Sequence, residues 1–481
     1  MPVAAISLPS REHIVVDLDD TLVLTDTFAA SLLEAVRRRP SCLPRLAVAL
    51  FRGRAFCKRS TAILGRLDVT SLPYNRPLIE YLREQKASGS RLILATGADR
   101  SIATEVAAHL GLFDDVIGSE EGRNVIGDEK LRAIREKLGD TPFTYAGNSR
   151  DDLRVWRGSQ AAIVVGASRS CMRHLRDTGI AVRREFQVSR GHWRAQLRCL
   201  RLHQWSKNIL IFAPVLLAHK ILDPRVMWAA FVAFMAFSLC ASALYIVNDL
   251  LDLQADRVHP TKRLRPLASG EVSIAGGIGL GIVLLIAAAG FITQLPLAAC
   301  GLLAGYVASS FLYSLKLKRM LFLDVVTLAL LYAVRVLYGG SATAIKISVW
   351  TLAFSLFLFT SLATLKRLAE LRRVAAVANR AQDYRGYKEV DINQLSSLAS
   401  AGGYVAVMVL ALYINSPEVV LLYRHPQVLW LLCPILIYWI SRLALIANRG
   451  HLDDDPVAFA LKDRATWVVG ALAAVVLALS T

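Results

Sequence analysis

Nine long apolar stretches between residues 207 and 480 constrain this 481-residue chain more than any other feature. They run roughly 207–222, 228–248, 272–292, 297–314, 322–341, 349–366, 396–416, 426–446 and 464–480. Most approach the ~20 residues an α-helix needs to cross a bilayer, and the shorter ones need tilt or extended ends. The chain before them is different. Residues 1–190 carry 29 Lys+Arg and 23 Asp+Glu, a soluble balance, whereas residues 191–481 carry 27 and 15. A purely soluble fold, a coiled coil and disorder are excluded, and a soluble domain followed by an all-α membrane domain is expected.

The loops fix an expected orientation. Those near 249–271, 315–319, 366–388 and 442–464 hold 18 Lys+Arg; those near 217–227, 293–296, 342–348 and 417–427 hold four. Basic loops stay in the cytosol, so the spacing predicts a cytosolic N-terminus and a C-terminus on the opposite side of the cell inner membrane. The same bias accounts for the net charge of +18 without a nucleic-acid partner. The opening MPVAAISLPSREHIVV has no basic-then-apolar leader pattern. The seven scattered cysteines form no CxxC pair, which argues against disulfides and zinc. Three segments are expected: 1–185 soluble, 186–205 a basic juxtamembrane link, 206–481 membrane.

Acids are scarce in the membrane half, and three of them fall in NDLLDLQAD. Asp249, Asp252 and Asp256 stand at i, i+3 and i+7, one face of a continuous helix. Three carboxylates facing one way invite a cation, and oxygen-only ligands suit Mg²⁺ shared with substrate phosphates. Asn248 precedes them, and Lys262, Arg263 and Arg265 follow in HPTKRLRPLASG. Carboxylates beside Lys and Arg suit a pyrophosphate leaving group.

NDLLDLQAD resembles the NDxxDxxxD motif of the UbiA superfamily of intramembrane prenyltransferases. With RLHQWSKNILIFAPVLLAHK, LATLKRLAELRR and DDDPVAFALKDR, the region 200–481 resembles the decaprenyl-phosphate phosphoribosyltransferase branch. The resemblance implies nine transmembrane helices, Mg²⁺, and transfer of 5-phosphoribosyl from phosphoribosyl pyrophosphate to a polyprenyl phosphate. Aromatic prenyltransferases of the superfamily carry a second DxxxD motif; here Asp324 is followed four residues later by Leu328. An arginine inside a span is a site candidate, and Arg335 lies three turns from Asp324. The expectation is one metal or phosphate pocket lined by both. Lys207 and Arg201, and Lys366 and Arg367, are further candidates to hold the two phosphate-bearing substrates.

In the soluble half, EHIVVDLDDT reads as a buried strand ending in acids, the edge at which open α/β sheets place ligands. It resembles motif I of the haloacid dehalogenase (HAD) superfamily, with Asp17 as nucleophile and Asp19 as general acid/base. Thr96 in RLILATGADR, Lys130 in IGDEKLRAI, and Asp151 and Asp152 in FTYAGNSRDDLRVW follow in the order of the remaining motifs. The resemblance implies a Rossmann-like α/β phosphatase with Mg²⁺ held by Asp17, Asp19, Asp151 and Asp152. The Arg-rich insert at about 24–88 reads as a helical cap whose basic residues meet a phosphorylated head group, an anionic lipid or only solvent. Residues 167–200 read as a basic link lying on the bilayer.

Together these expectations describe a bifunctional membrane enzyme. Its membrane domain makes polyprenyl-phosphoryl-5-phosphoribose, and its HAD domain removes the 5-phosphate to give polyprenyl-phosphoryl ribose, an arabinan precursor for cell-envelope glycan. Two alternatives stay open: an aromatic prenyltransferase fused to an unrelated phosphatase, and a membrane anchor for a phosphatase. A homo-oligomer is compatible with either.

Overall fold

The computed structural model describes residues 12–188, 193–377, 386–417, 419, 423–452 and 456–480. Residues 1–11 of the soluble domain, 189–192 of the link and the acids 453–455 lie outside the described residues. Two compact units are present: 1–200 with 245–282, and 201–244 with 283–481. The acidic motif therefore belongs to the first unit.

That unit is built on six parallel strands, β1 (His13–Val16), β2 (Arg91–Asp99), β3 (Asp115–Ser119), β4 (Phe143–Gly147), β5 (Ala161–Val165) and β6 (Ala181–Phe186). Their order is β3-β2-β1-β4-β5-β6. β1 pairs with β2 on one side and β4 on the other, in register at Val15↔Ile93 and Val15↔Tyr145. The winding reverses at β1, and ligands of doubly wound sheets bind beyond the carboxyl ends of the strands at that point. The inner strands are buried on both faces, which is why IVV, LIL and AIVV are continuous apolar runs. Helices Arg100–Leu110, Asp128–Leu138, Leu153–Arg157 and Arg169–Asp177 carry the later crossovers. The expected basic link at 167–200 is corrected in part: it contains this last crossover helix and β6 before the helix Trp193–Leu200.

The β1–β2 crossover is the helical cap: α1 (Thr27–Arg38), α2 (Leu43–Phe51), α3 (Arg54–Gly65) and α4 (Arg76–Ala87). Asp26 caps α1 by accepting from the Ala29 amide at 3.0 Å, and Asn75 caps α4. Gly65 has no Cβ because one would overlap the Ser31 carbonyl, where α3 crosses α1.

Seven helices are long and apolar enough to cross a membrane: Pro224–Leu251, Ile274–Ile292, Leu297–Leu315, Leu323–Ala342, Val349–Ala375, Glu389–Ile414 and Pro426–Asn448. The chain is a multi-pass membrane protein. The expected count of nine is not reached among the described residues. The ninth stretch is a 17-residue helix, Arg464–Ser480. The first, 207–222, divides into a 3₁₀ segment, Leu202–Phe212, and five α-helical residues, Ala213–Leu217. Pro214 has no amide hydrogen to continue a ladder, which suits it to a helix start rather than an interior.

Candidate active sites

In the first site, four of the expected HAD residues meet at the sheet's switch point. Asp17 follows β1 directly, its amide donating to Ala146 of β4 at 2.9 Å. The chain then turns back, Val23 N donating to Leu18 O at 3.0 Å, with Asp20 in the left-handed region at φ 60°. Lys130, at the start of its helix, donates to Asp17 Oδ1 at 2.9 Å and to Tyr145 Oη at 3.0 Å, and stands 3.5 Å from Asp152 Oδ1. Asp152 accepts from Tyr145 Oη at 2.7 Å, from the amides of Asn148 and Ser149 at 3.0 and 2.9 Å, and from Ser149 Oγ at 3.0 Å. Asp19 accepts from the Thr27 amide at 2.8 Å. Thr96 is fully buried in β2 and accepts from the Ala98 amide at 3.0 Å. Asp151 is exposed beside this cluster.

The electrostatics separate these acids. Burial raises the Asp17 carboxyl to about 6 against the pull of Lys130, with Asp152 adding to the rise. Burial, the Asp26 carboxylate and Asp17 raise Asp19 to about 7. Burial also works against the charges of Lys130 and Asp152, yet Asp17, and after it Asp152, holds the Lys130 ammonium above its ordinary range, and Lys130 holds the Asp152 carboxyl below its own. Paired carboxyls with different proton affinities allow one to act as a base or nucleophile while the other donates a proton.

Sequence reasoning missed two groups here. Tyr145 reads as an ordinary apolar strand residue, but its hydroxyl joins Lys130 to Asp152. Lys58 of the cap donates to Gly97 O at 2.6 Å and to Asn124 Oδ1 at 3.0 Å. Burial lowers its ammonium, while the negative charges of Asp19 and Asp26 oppose that shift. It was lost among the nine basic residues of 37–66.

The second site is the acidic motif, and it departs from the expected single helix face. The helix Pro224–Leu251 stops before Asp252 (φ −94°, ψ 12°), and a new turn, Leu253–Val258, begins after it. Asp249 and Asp256 nevertheless converge, because Arg265 Nη1 bonds both, at 3.0 and 2.5 Å. Lys262 lies 3.9 Å from Asp256, and burial raises the Asp256 carboxyl. Asn248 and Asp252 are half-buried and Arg263 is exposed. Arg257, which sequence reasoning passed over, is buried, and burial lowers its guanidinium to about 10. Its Nη2 donates to Thr25 Oγ1 at 3.1 Å, while Nε and Nη1 have no hydrogen-bond partner.

The second unit separates two residues expected to share a pocket. Asp324 is fully buried, paired with Arg367 at 2.6 Å and accepting from Tyr387 Oη at 2.7 Å. Arg367 also pairs with Glu370. Arg335 instead donates to Asn208 Oδ1 at 3.0 Å, to Tyr306 Oη at 3.2 Å and to the Leu331 carbonyl, with Phe237, Tyr306 and Tyr332 around its guanidinium. Each charge is satisfied in its own network, so the expected common pocket is corrected. Arg367 is likewise not an open phosphate-holding cation: it is fully buried between two carboxylates. Lys366 and Lys207 are half-buried, and Arg201 stands in the left-handed region at φ 50°.

Among the described residues, no three His, Cys, Asp or Glu side chains are gathered closely enough to form a metal cage alone. Both acidic sites offer only oxygen donors. This set fits Mg²⁺ held by one or two carboxylates and completed by water and substrate phosphate.

Comparison with known proteins finds two families along the chain. The UbiA prenyltransferase family matches residues 209–478, and haloacid dehalogenase-like hydrolases match residues 14–157. The chain belongs to the UbiA prenyltransferase family. It carries an N-terminal HAD-like domain fused to the UbiA-type domain. The uncharacterized protein y4nM of Sinorhizobium fredii (strain NBRC 101917 / NGR234) is 34% identical over 463 residues, 96% of this chain and 89% of that one. Nodulation protein NoeC of Azorhizobium caulinodans is 34% identical over 278 residues, 56% of this chain and 87% of its own. Decaprenyl-phosphate phosphoribosyltransferase of Mycobacterium tuberculosis (strain ATCC 25618 / H37Rv) is 34% identical over 200 residues, 39% of this chain and 65% of that enzyme. A solved UbiA homolog from Archaeoglobus fulgidus, bound to GPP and Mg²⁺, aligns with 60% of this chain and 100% of its own at 16% identity and a TM-score of 0.45.

Proposed function

We propose that this UbiA-family protein transfers 5-phosphoribosyl from phosphoribosyl pyrophosphate to a polyprenyl phosphate, and that its HAD domain then removes the 5-phosphate. The observation that carries the transferase half is the 34% identity to decaprenyl-phosphate phosphoribosyltransferases. The local chemistry is in keeping with it: Asp249 and Asp256 share the Arg265 guanidinium, with Lys262 beside them.

In the transfer, a lipid phosphate oxygen bonds to the anomeric carbon as that carbon's bond to pyrophosphate breaks. Asp249, Asp252 and Asp256 would hold Mg²⁺, which supplies charge neutralisation for the leaving group. Arg265 and Lys262 offer donors to the same phosphates, Arg as a fork and Lys as a point charge. No protein nucleophile is needed at a carbon of oxocarbenium character.

In the hydrolysis, the Asp17 carboxylate attacks phosphorus and forms an aspartyl phosphate, while Asp19 gives its proton to the departing ribose oxygen. Asp19 then takes a proton from the water that cleaves the acyl phosphate. Lys130 balances charge on Asp17 and on the phosphoryl oxygens, and Thr96 and Lys58 hold substrate. Asp17, Asp19, Asp151 and Asp152 would hold Mg²⁺ here, which would supply charge neutralisation for the phosphoryl group.

Both steps need one membrane face. We place the HAD domain and both sites in the cytosol, the C-terminus opposite, and the spans in the inner membrane. The product is a polyprenyl-phosphoryl ribose of the kind that feeds cell-envelope arabinan.

The test supplies purified protein with radiolabelled phosphoribosyl pyrophosphate and polyprenyl phosphate, and separately with a prenyl diphosphate and an aromatic acid. Labelled lipid should form only from the first pair, and Asp17→Asn should leave it 5-phosphorylated. Product from the second pair alone would replace this reading with an aromatic prenyltransferase.

A further inference from the structure

The cap contains a helix that no soluble domain should leave in water. α2 reads LPRLAVALF, apolar on every side but for Arg45. One face packs inward: Leu46 and Ala49 are buried, Leu46 in a small cluster with Ala35 and Cys42. The opposite face is as apolar and is exposed among the described residues. Leu43 is 51% exposed, Val48 55%, Leu50 60% and Phe51 94%, and Ile63 of the adjoining α3 is 62% exposed. A helix apolar all round is usually buried in a core or in lipid. A groove of about 550 Å³ lies between α2 and α3, lined by Pro44, Val48, Ala49, Phe56, Ile63 and Leu64 among others.

Charge names the occupant. From Ala35 to Leu67 the sequence holds eight Arg and one Lys and not one Asp or Glu. Arg37 and Arg38 are held by Glu34, before the run begins. Arg39, Arg45, Arg52 and Arg54 are all exposed around the apolar edge, and Arg52 lies over the Phe56 ring at 5.5 Å. A second protein surface would match the apolar edge but has no stated reason to meet so many cations. An anionic leaflet matches both, taking the apolar face into its acyl boundary and the arginines among its phosphates. Nine helical residues, ~14 Å long at ~1.5 Å each, cannot span a bilayer, so the contact is one-sided. The chain's own spans keep a bilayer within tethered reach.

We infer that the α2–α3 hairpin of the cap docks onto the anionic leaflet of the bilayer, with Leu43, Val48, Leu50, Phe51 and Ile63 inserted and Arg39, Arg45, Arg52 and Arg54 at headgroup level. The inference is independent of which reaction the transferase performs. It has a catalytic consequence, because α3 also carries Lys58 to Gly97 and Asn124 beside the acids of the HAD site. The docked surface and the substrate-facing lysine are on one short helix.

The full-length protein is placed in lipid nanodiscs with an environment-sensitive fluorophore on Phe51→Cys, in a background lacking the native cysteines. Gln160→Cys, on the exposed far side of the sheet domain, is the reference. Emission from position 51 should shift to the blue in phosphatidylcholine–phosphatidylglycerol discs and be quenched by spin-labelled lipid, while position 160 stays unquenched. R45E/R52E/R54E should remove most of the quenching. Both activities measured on the labelled protein show that it is folded. Water-like, unquenched emission in anionic discs overturns the proposal. So does a blue shift without lipid quenching, which would assign the face to a second copy or another protein segment.

Discussion

The sharpest structural claim in the membrane domain concerns Asp324, where sequence and geometry assign different roles. If it is a ligand of the transferase site, its charge is needed for turnover. If it is half of the Arg367 pair, its charge is needed only while Arg367 is charged. Both side chains are fully buried, 2.6 Å apart. Removing one partner of such a pair costs about 3–5 kcal/mol, mostly through the charge left behind, whereas replacing both with apolar groups is often near neutral. The local partners make the two single changes unequal. In Asp324→Asn, Arg367 keeps Glu370 and Tyr387 keeps an acceptor, so the loss should fall below that range, at about 1–3 kcal/mol. In Arg367→Met, Asp324 keeps, among the described side chains, the Tyr387 hydroxyl, and the full range applies.

At ~2–4 °C per kcal/mol for a domain of this size, Arg367→Met should melt roughly 10 °C below the parent and Asp324→Asn only a few degrees below it. The assay is thermal unfolding in detergent, run beside pyrophosphate release below the melting range. The double variant D324L/R367L should recover most of the stability lost in R367M and retain transfer. A double variant as unstable as R367M would refute the pair argument. A stable double variant without transfer would return Asp324 to the catalytic site.

The HAD activity should be bell-shaped in pH. Asp17 must be ionised to attack, so rate falls as pH drops through about 6; Asp19 must carry its proton, so rate falls as pH rises through about 7; an optimum outside that window would contradict their roles. Arg265→Ala should lower pyrophosphate release about 10²–10³-fold, the cost of one transition-state donor, and EDTA should abolish it until Mg²⁺ is restored. Full activity in EDTA would remove the metal. Cysteines at Leu264 and Gln427, in a background without the native seven, should label from opposite sides with an impermeant reagent. Labelling of position 264 from outside intact cells would overturn both the orientation and the two-step reading.

What could be read from sequence depended on whether a residue's partners are near it in the chain. Asp17 and Asp19 were legible because a strand ending in acids has one usual position in a parallel sheet. Lys130 and Asp152 followed because each stands at the start of its helix, and Thr96 because it lies in the carboxyl-terminal half of its strand. The first span failed for a local reason: composition says apolar, but 3₁₀ turns and Pro214 break 202–217. Asp324 and Arg335 failed for a long-range one. Helical spacing places both on one helix, but their partners come from elsewhere in the unit: Arg367 and Tyr387 for one, Asn208 and Tyr306 for the other. Periodicity cannot report a partner 43 or 127 residues away.

The acidic motif leads to one more expectation. NDLLDLQAD is part of the transferase by sequence, yet 245–282 packs in one compact unit with the HAD fold. Among its contacts there, two lie at the turn that follows β1. Gly270, at φ 80°, lies so close to the Leu24 carbonyl that any Cβ would overlap it. Arg257, next to Asp256, donates to the Thr25 hydroxyl at 3.1 Å in an otherwise unsatisfied, buried setting. Thr25 lies two residues before Thr27, whose amide holds Asp19. A hydrogen bond to a charged group contributes ~1.5–3 kcal/mol, so Thr25→Val should loosen the segment carrying Asp256 by about that much. The effect should appear as faster hydrogen exchange across 253–265 and weaker transfer, with soluble phosphate esters still hydrolysed by the HAD site. Glycine-to-alanine substitution at Gly270 should act in the same direction through steric overlap. Unchanged exchange in both variants would mean that the motif is ordered without the HAD domain, and residues 201–481 expressed alone should then transfer phosphoribose as fast as the whole chain.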